Sequence, residues 1–107
     1  MNNYKTVYIT IKIMVRDRYE NITVMKLEKI FKLDYIPVIG MMVIDNDVKF
    51  ELNSVNHNLN TNIYYVESFI IGASQHKVVT TYRGDYYAAC KNIIDEYIKN
   101  GWKEVSS

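Results

Sequence analysis

The chain has 107 residues, enough for one domain with a single core; 49% are hydrophobic, with one Pro and four Gly, which argues against disorder. Thirteen basic residues balance 12 acidic ones, giving a net charge of +1 with no long block of either sign. That balance leaves no electrostatic footprint for duplex nucleic acid or an anionic membrane.

Cys90 is the only cysteine, so packing rather than an internal disulfide must hold the fold. Polar residues interrupt MNNYKTVYITIKIMV throughout, so it does not read as a leader with an apolar core. No apolar run reaches the roughly 20 residues that a spanning helix needs. The expectation is a cytoplasmic protein with no membrane partner.

Residues 4–16 alternate, with Val7, Ile9, Ile11, Ile13 and Val15 on one side and Tyr8, Thr10, Lys12, Met14 and Arg16 on the other. Period two with β-branched residues on one face predicts a half-buried strand. DRYEN (17–21) reads as a turn, and 22–33 resumes a weaker alternation through Met25, Leu27, Phe31 and Leu33, with Lys29 interrupting. A strand completing a hairpin with the first is the preferred reading, and a helix is the alternative.

The most apolar stretch is YIPVIGMMVI (35–44). Pro37 keeps Ile36 extended and cannot donate to a ladder, which places the chain at an edge or a crossover before a short strand from Met41 to Ile44; a buried crossover is preferred to an exposed binding loop, with burial left open. After the turn Asp45-Asn46-Asp47, Val48, Phe50 and Leu52 point inward from a strand over 48–52. The apolar phase slips at Asn53 and Ser54, which predicts a bulge or a strand end.

The segment 48–71 reads as a hairpin at the centre of the sheet, its two arms joined by the asparagine-rich turn NHNLNTN. Its second arm, 63–71, places Ile63, Tyr65, Phe69 and Ile71 on one face and Tyr64, Val66 and Ile70 on the other. Two apolar faces predict a strand covered on both sides. GASQH (72–76) breaks it, and KVVTTYR (77–83) is read as the last strand. Asp85 then caps a helix over 86–100, whose apolar stripe is Tyr86, Ala89, Cys90, Ile93, Ile94 and Tyr97. Gly101 stands where a left-handed cap is wanted, and Trp102 should fold back on Tyr97.

These elements predict a single α+β domain over 1–107. Its core is an antiparallel meander of about five strands (4–16, 22–33, 41–52, 63–71 and 77–83). One C-terminal helix packs on one face. One helix cannot cover such a sheet on both sides. The other face should carry Tyr8, Thr10, Lys12, Met14 and either Tyr64 or Tyr65, a set too apolar to be simply solvated.

No motif selects a chemistry. Arg83-Gly84-Asp85 spells an adhesion tripeptide but sits where a helix start is needed, and Asn21-Ile22-Thr23 matches a glycosylation acceptor in a chain expected to lack a leader. A hydrolase would use Cys90 as nucleophile or His57 or His76 as base, yet Cys90 falls on an apolar stripe, where a thiol acts as a small hydrophobe. His57 and His76 with Asp47 or Glu51 lack metal-ligand spacing, so no metal or other cofactor is expected. Tyr64, Tyr65, Tyr82, Tyr86 and Tyr87 gather near the last strands and the helix start, where large amphipathic rings suit interfaces or base stacking. Tyr8, Lys12 and Arg83 complete the candidate binding set.

The run Ile36-Pro37-Val38-Ile39-Gly40-Met41, the hairpin ending in Tyr64-Tyr65-Val66-Glu67 and the helix closing in Gly101-Trp102 resemble short bacterial and phage accessory proteins. The resemblance spans about two-thirds of the chain and carries no catalytic residues. It implies a phage-type inhibitor that binds a host defence component or its signalling nucleotide, placed in the host cytoplasm. The leading expectation is a non-enzymatic binding protein that self-associates or meets a protein partner through the uncovered face. The alternatives are a nucleotide or single-stranded nucleic-acid module, with Lys12, Arg16, Lys77 and Arg83 meeting phosphates, and the small hydrolase.

Overall fold

A computed structural model describes residues 3–17, 20–74 and 86–105. The first two predicted strands are present as β1 (Lys5–Asp17) and β2 (Glu20–Leu33), paired antiparallel. Val7, Ile9, Ile11, Ile13 and Val15 are all at most 1% exposed, so the alternation in β1 selects the core face without exception. Leu27 is buried on the same side of β2, with Met25, Phe31 and Leu33 packed around it.

The stretch 41–52 is not one strand of that sheet. β3 (Met42–Asp45) and β4 (Val48–Glu51) form a separate two-stranded hairpin, turned at Asn46, which takes a left-handed φ of 54°. Short amide side chains tolerate that conformation better than most. The hairpin sends Val48 and Phe50 into the core. At Asn53 the chain leaves it for the main sheet: Asn53 N donates to Glu67 O at 2.9 Å, and Phe69 N donates to Asn53 Oδ1 at 2.7 Å. The phase slip in the sequence marks this crossing.

The asparagine-rich hairpin is narrower and later than 48–71. Its arms are β5 (Ser54–Asn58) and β6 (Ile63–Ser74), so the asparagines up to Asn58 are strand. Asn58 Oδ1 accepts from the amides of Asn60 and Thr61 at 2.9 and 3.2 Å, closing the turn as asparagine chemistry allows. β6 continues to Ser74, past the predicted break at Gly72.

Among the described residues the main sheet runs β5-β6-β1-β2 and ends in β7 (Lys103–Glu104), which pairs with Leu27 and Glu28. β6 lies parallel to β1, so the sheet is mixed and the antiparallel meander is corrected. The chain reaches β6 by a long excursion through β3, β4 and β5, and such excursions are what parallel neighbours require. β5 lies at an edge, so the hairpin is not central as a unit. The predicted strand 77–83, the cap at Asp85, and His76, Lys77, Tyr82 and Arg83 lie outside the described residues.

The helix is α1 (Tyr86–Lys99). Cys90, Ile94 and Tyr97 are its buried residues, while Tyr86, Ala89 and Ile93 pack partly buried against the core. It ends in a Schellman motif: Trp102 N donates to Tyr97 O at 3.1 Å and Gly101 N to Ile98 O at 3.0 Å, with Gly101 at φ +92°. The Trp102 ring meets Tyr97 edge-on at 5.5 Å and Phe50 at 5.4 Å, so this turn nails the helix to the β3–β4 hairpin. Trp102 Nε1 donates to Asp45 Oδ2 at 3.0 Å, and Lys29 Nζ donates to the same oxygen and to Asn100 O, both at 2.7 Å. Lys29, the residue that interrupts the apolar face of β2, is therefore held by two acceptors.

Candidate interaction face

α1 and the β3–β4 hairpin share one core with the inward face of the sheet. The other face of β6, β1 and β2 is open among the described residues. Register defines it. Across β2, β1 and β6, one row is Ile30, Tyr8 and Tyr65; the next is Glu28, Thr10 and Glu67; the third is Lys26, Lys12 and Phe69. Met14 and Ile71 follow beyond the third row, and Ile63 precedes the first.

Large apolar groups on this face meet solvent: Ile30 is 61% exposed, Tyr65 39%, Phe69 42% and Ile71 43%. Two apolar faces on 63–71 therefore do not mean two covered faces, and that expectation is corrected. The Tyr8 and Tyr65 rings lie 5.8 Å apart at a tilt. Lys12 Nζ sits 5.4 Å from the centre of the Phe69 ring and 2.9 Å from Glu67 Oε2. The Lys12 ammonium holds the Glu67 carboxyl below its ordinary range, with Ser54 Oγ assisting at 3.2 Å, against the opposing effect of burial. The middle row of the face is thus polar, with the Lys12–Glu67 ion pair at its β6 end, and the aromatic and aliphatic groups lie on either side of it.

The predicted site residues divide between two sides. Tyr8, Lys12 and Tyr65 come together on the open face. Tyr64 lies on the core side, where it packs partly buried and stacks on His57 at 4.0 Å. Tyr86 packs against the core and Tyr87 is exposed on α1, also away from the open face. Sequence reasoning leaves out Ile30 and Phe69 as site residues. Phe69 is findable, because it shares the phase of Tyr65; Ile30 is hidden by the weak alternation of β2.

Of the residues considered for hydrolysis, the two described, Cys90 and His57, are badly placed for it. Cys90 is 1% exposed, and burial pushes its thiol up, away from the thiolate that attacks. His57 lies exposed on edge strand β5, its Nε2 2.8 Å from Asn62 Oδ1. Among the described residues no cluster of His, Cys, Asp and Glu could hold a metal ion, and no helix is long and apolar enough to cross a membrane.

For the run 35–44 the structure favours the exposed alternative over the buried crossover. Pro37 is buried, but Ile36 is 54% exposed, Val38 56%, Ile39 63% and Ile44 71%, so the most apolar stretch of the chain is largely a surface segment. No protein-family model matches the chain, nor does any curated protein or solved structure.

Proposed function

We propose that the protein is a non-enzymatic interaction protein whose contact surface is the open face of the β6-β1-β2 sheet, and that its occupant is a protein. The observation that carries this reading is the row Ile30, Tyr8 and Tyr65, with Phe69 and Ile71 farther along β6 beyond the row Glu28, Thr10 and Glu67; Ile30, Tyr65, Phe69 and Ile71 face solvent on the side away from the helix. A patch of large apolar and aromatic groups rimmed by charges of both signs suits a protein interface. Lys26, Lys32 and Glu28 supply that rim. A phosphate-bearing ligand fits less well: the central cation, Lys12, is already engaged by Glu67, and that carboxylate would face the incoming phosphate. A face of this kind also serves a phage-type inhibitor that acts by covering a surface of a host defence protein.

The test is affinity capture from an extract of the cell in which the protein works, comparing wild type with Phe69→Lys, Tyr65→Lys and the helix-side control Tyr87→Lys. Capture of a partner by wild type and the control, with loss from both sheet variants, is expected. A partner that both sheet variants retain and Tyr87→Lys loses would move the contact surface to the helix side.

A further inference from the structure

We infer that the open face takes a second copy of this chain, packed face to face about a two-fold axis that crosses the strands along the row Glu28, Thr10 and Glu67. This rests on the reading of that face as a protein interface and names its occupant.

The first argument is area. β1, β2 and β6 run 13, 14 and 12 residues. At about 3.3 Å per residue and about 4.8 Å between strands, their joint face measures roughly 600 Å². Two copies would bury on the order of 1,200 Å², the lower end of the range for specific, stable interfaces. The face is therefore large enough for a dimer without recruiting the rest of the surface.

The second argument is self-complementarity, which an isologous interface demands. The chosen axis sends the row Ile30, Tyr8, Tyr65 of one copy onto the row Lys26, Lys12, Phe69 of the other. Tyr65 then meets Phe69 of the second copy, an aromatic pair. Tyr8 meets Lys12, whose ammonium already lies over one ring, Phe69, in its own chain. Ile30 meets the aliphatic stem of Lys26. On the axis row each residue faces its own copy, so Thr10 meets Thr10 while Glu28 meets Glu28 and Glu67 meets Glu67, two like-charge contacts that neighbouring lysines must offset. Each Glu67 keeps its own Lys12, so its carboxylate enters the interface already balanced. Each Glu28 falls one row from Lys26 of the other copy. An axis along the strands also superposes like charges, Lys12 on Lys12 and Glu67 on Glu28, and it loses the Tyr65–Phe69 pair by setting Phe69 on Lys26. Sheets packed face to face cross at about 30°, so residues near the axis stay in register.

Light scattering across a concentration series tests the occupant, on wild type, Phe69→Lys, Tyr65→Lys and Tyr87→Lys, each checked for folding by circular dichroism. The expected result is a wild-type mass of two chains, retained by Tyr87→Lys, with both sheet variants shifted to one chain at the same concentration. A folded wild type at one chain mass throughout overturns the second copy while leaving the open-face reading to the capture experiment. A dimer untouched by both sheet variants overturns it as well. The axis is read with a short bismaleimide: Thr10→Cys should cross-link to a covalent dimer and Tyr87→Cys should not. A dimer that cross-links only through Tyr87→Cys overturns the proposed arrangement.

Discussion

Gly72 is where one atom decides how close the helix comes. Across from β1, Met14 pairs with Ile71 and Val15 with Ala73, so Gly72 is the extra residue of a bulge in β6. On the other side of β1, Ile13 pairs with Met25 and Met14 with Thr23, leaving Val24 as the extra residue of β2. A Cβ on Gly72 would stand 2.7 Å from Cys90 Sγ and 3.2 Å from Ile13 Cγ2, inside contact distance. Gly72→Ala should therefore destabilise the fold by about 1–3 kcal/mol through overpacking. Adding Cys90→Ala should return part of that loss, because the clashing sulfur is gone. Denaturant titration of the two single variants and the double reads the coupling. Strict additivity would mean that the two residues do not meet. In the sequence, Gly72 reads only as the end of a strand, because closeness to a distant helix residue has no local signature.

At the scale of elements, the C-terminal turn of α1 is legible to the residue and the pairing of strands is not. Gly101 followed by an aromatic predicts a Schellman stop with Trp102 against Tyr97, and both bonds and the ring contact are present. A cap is local chemistry. Period-two alternation likewise identifies β1 and its buried face, but it says nothing about which strand lies alongside or in which direction. The parallel β1–β6 pair is invisible for that reason. β5 escapes notice because Asn56, His57 and Asn58 have weak strand preference, and pairing to β6 overrides it. Tyr97 gives this junction a measurable handle. Burial pushes its phenol up to about 12, above the ordinary 10. The folded state thus holds the Tyr97 proton where the unfolded chain releases it. The stability contributed by the neutral phenol is complete below pH 10 and lost as the pH rises toward 12. Wild type should lose about 2–3 kcal/mol more than Tyr97→Phe across that window, from two pH steps of 1.36 kcal/mol each. Urea unfolding at several alkaline pH values checks it, and parallel curves for the two proteins would contradict it.

At the scale of the molecule, the sequence and the fold agree on a division of labour between the two sides of one sheet. The inward side spends the β-branched alternation of β1 on a core shared with α1 and the β3–β4 hairpin. The outward side leaves Tyr65, Phe69, Ile71 and Ile30 in partial contact with solvent. That is why 63–71 looks doubly buried in the sequence: apolar residues on an open sheet face carry the same signature as apolar residues in a core. The run 35–44 misleads for the same reason, with Pro37 inside and its neighbours outside.

The most direct measurement is hydroxyl-radical footprinting of side chains in wild type, at low and high protein concentration and with any captured partner. If the open sheet face is the contact surface, Ile30, Tyr65, Phe69 and Ile71 are labelled at low concentration and become protected together on association, while Tyr87, Ile36 and Ile39 stay labelled. Protection at Tyr87, Ile36 or Ile39, with labelling of the four sheet residues unchanged, would contradict it.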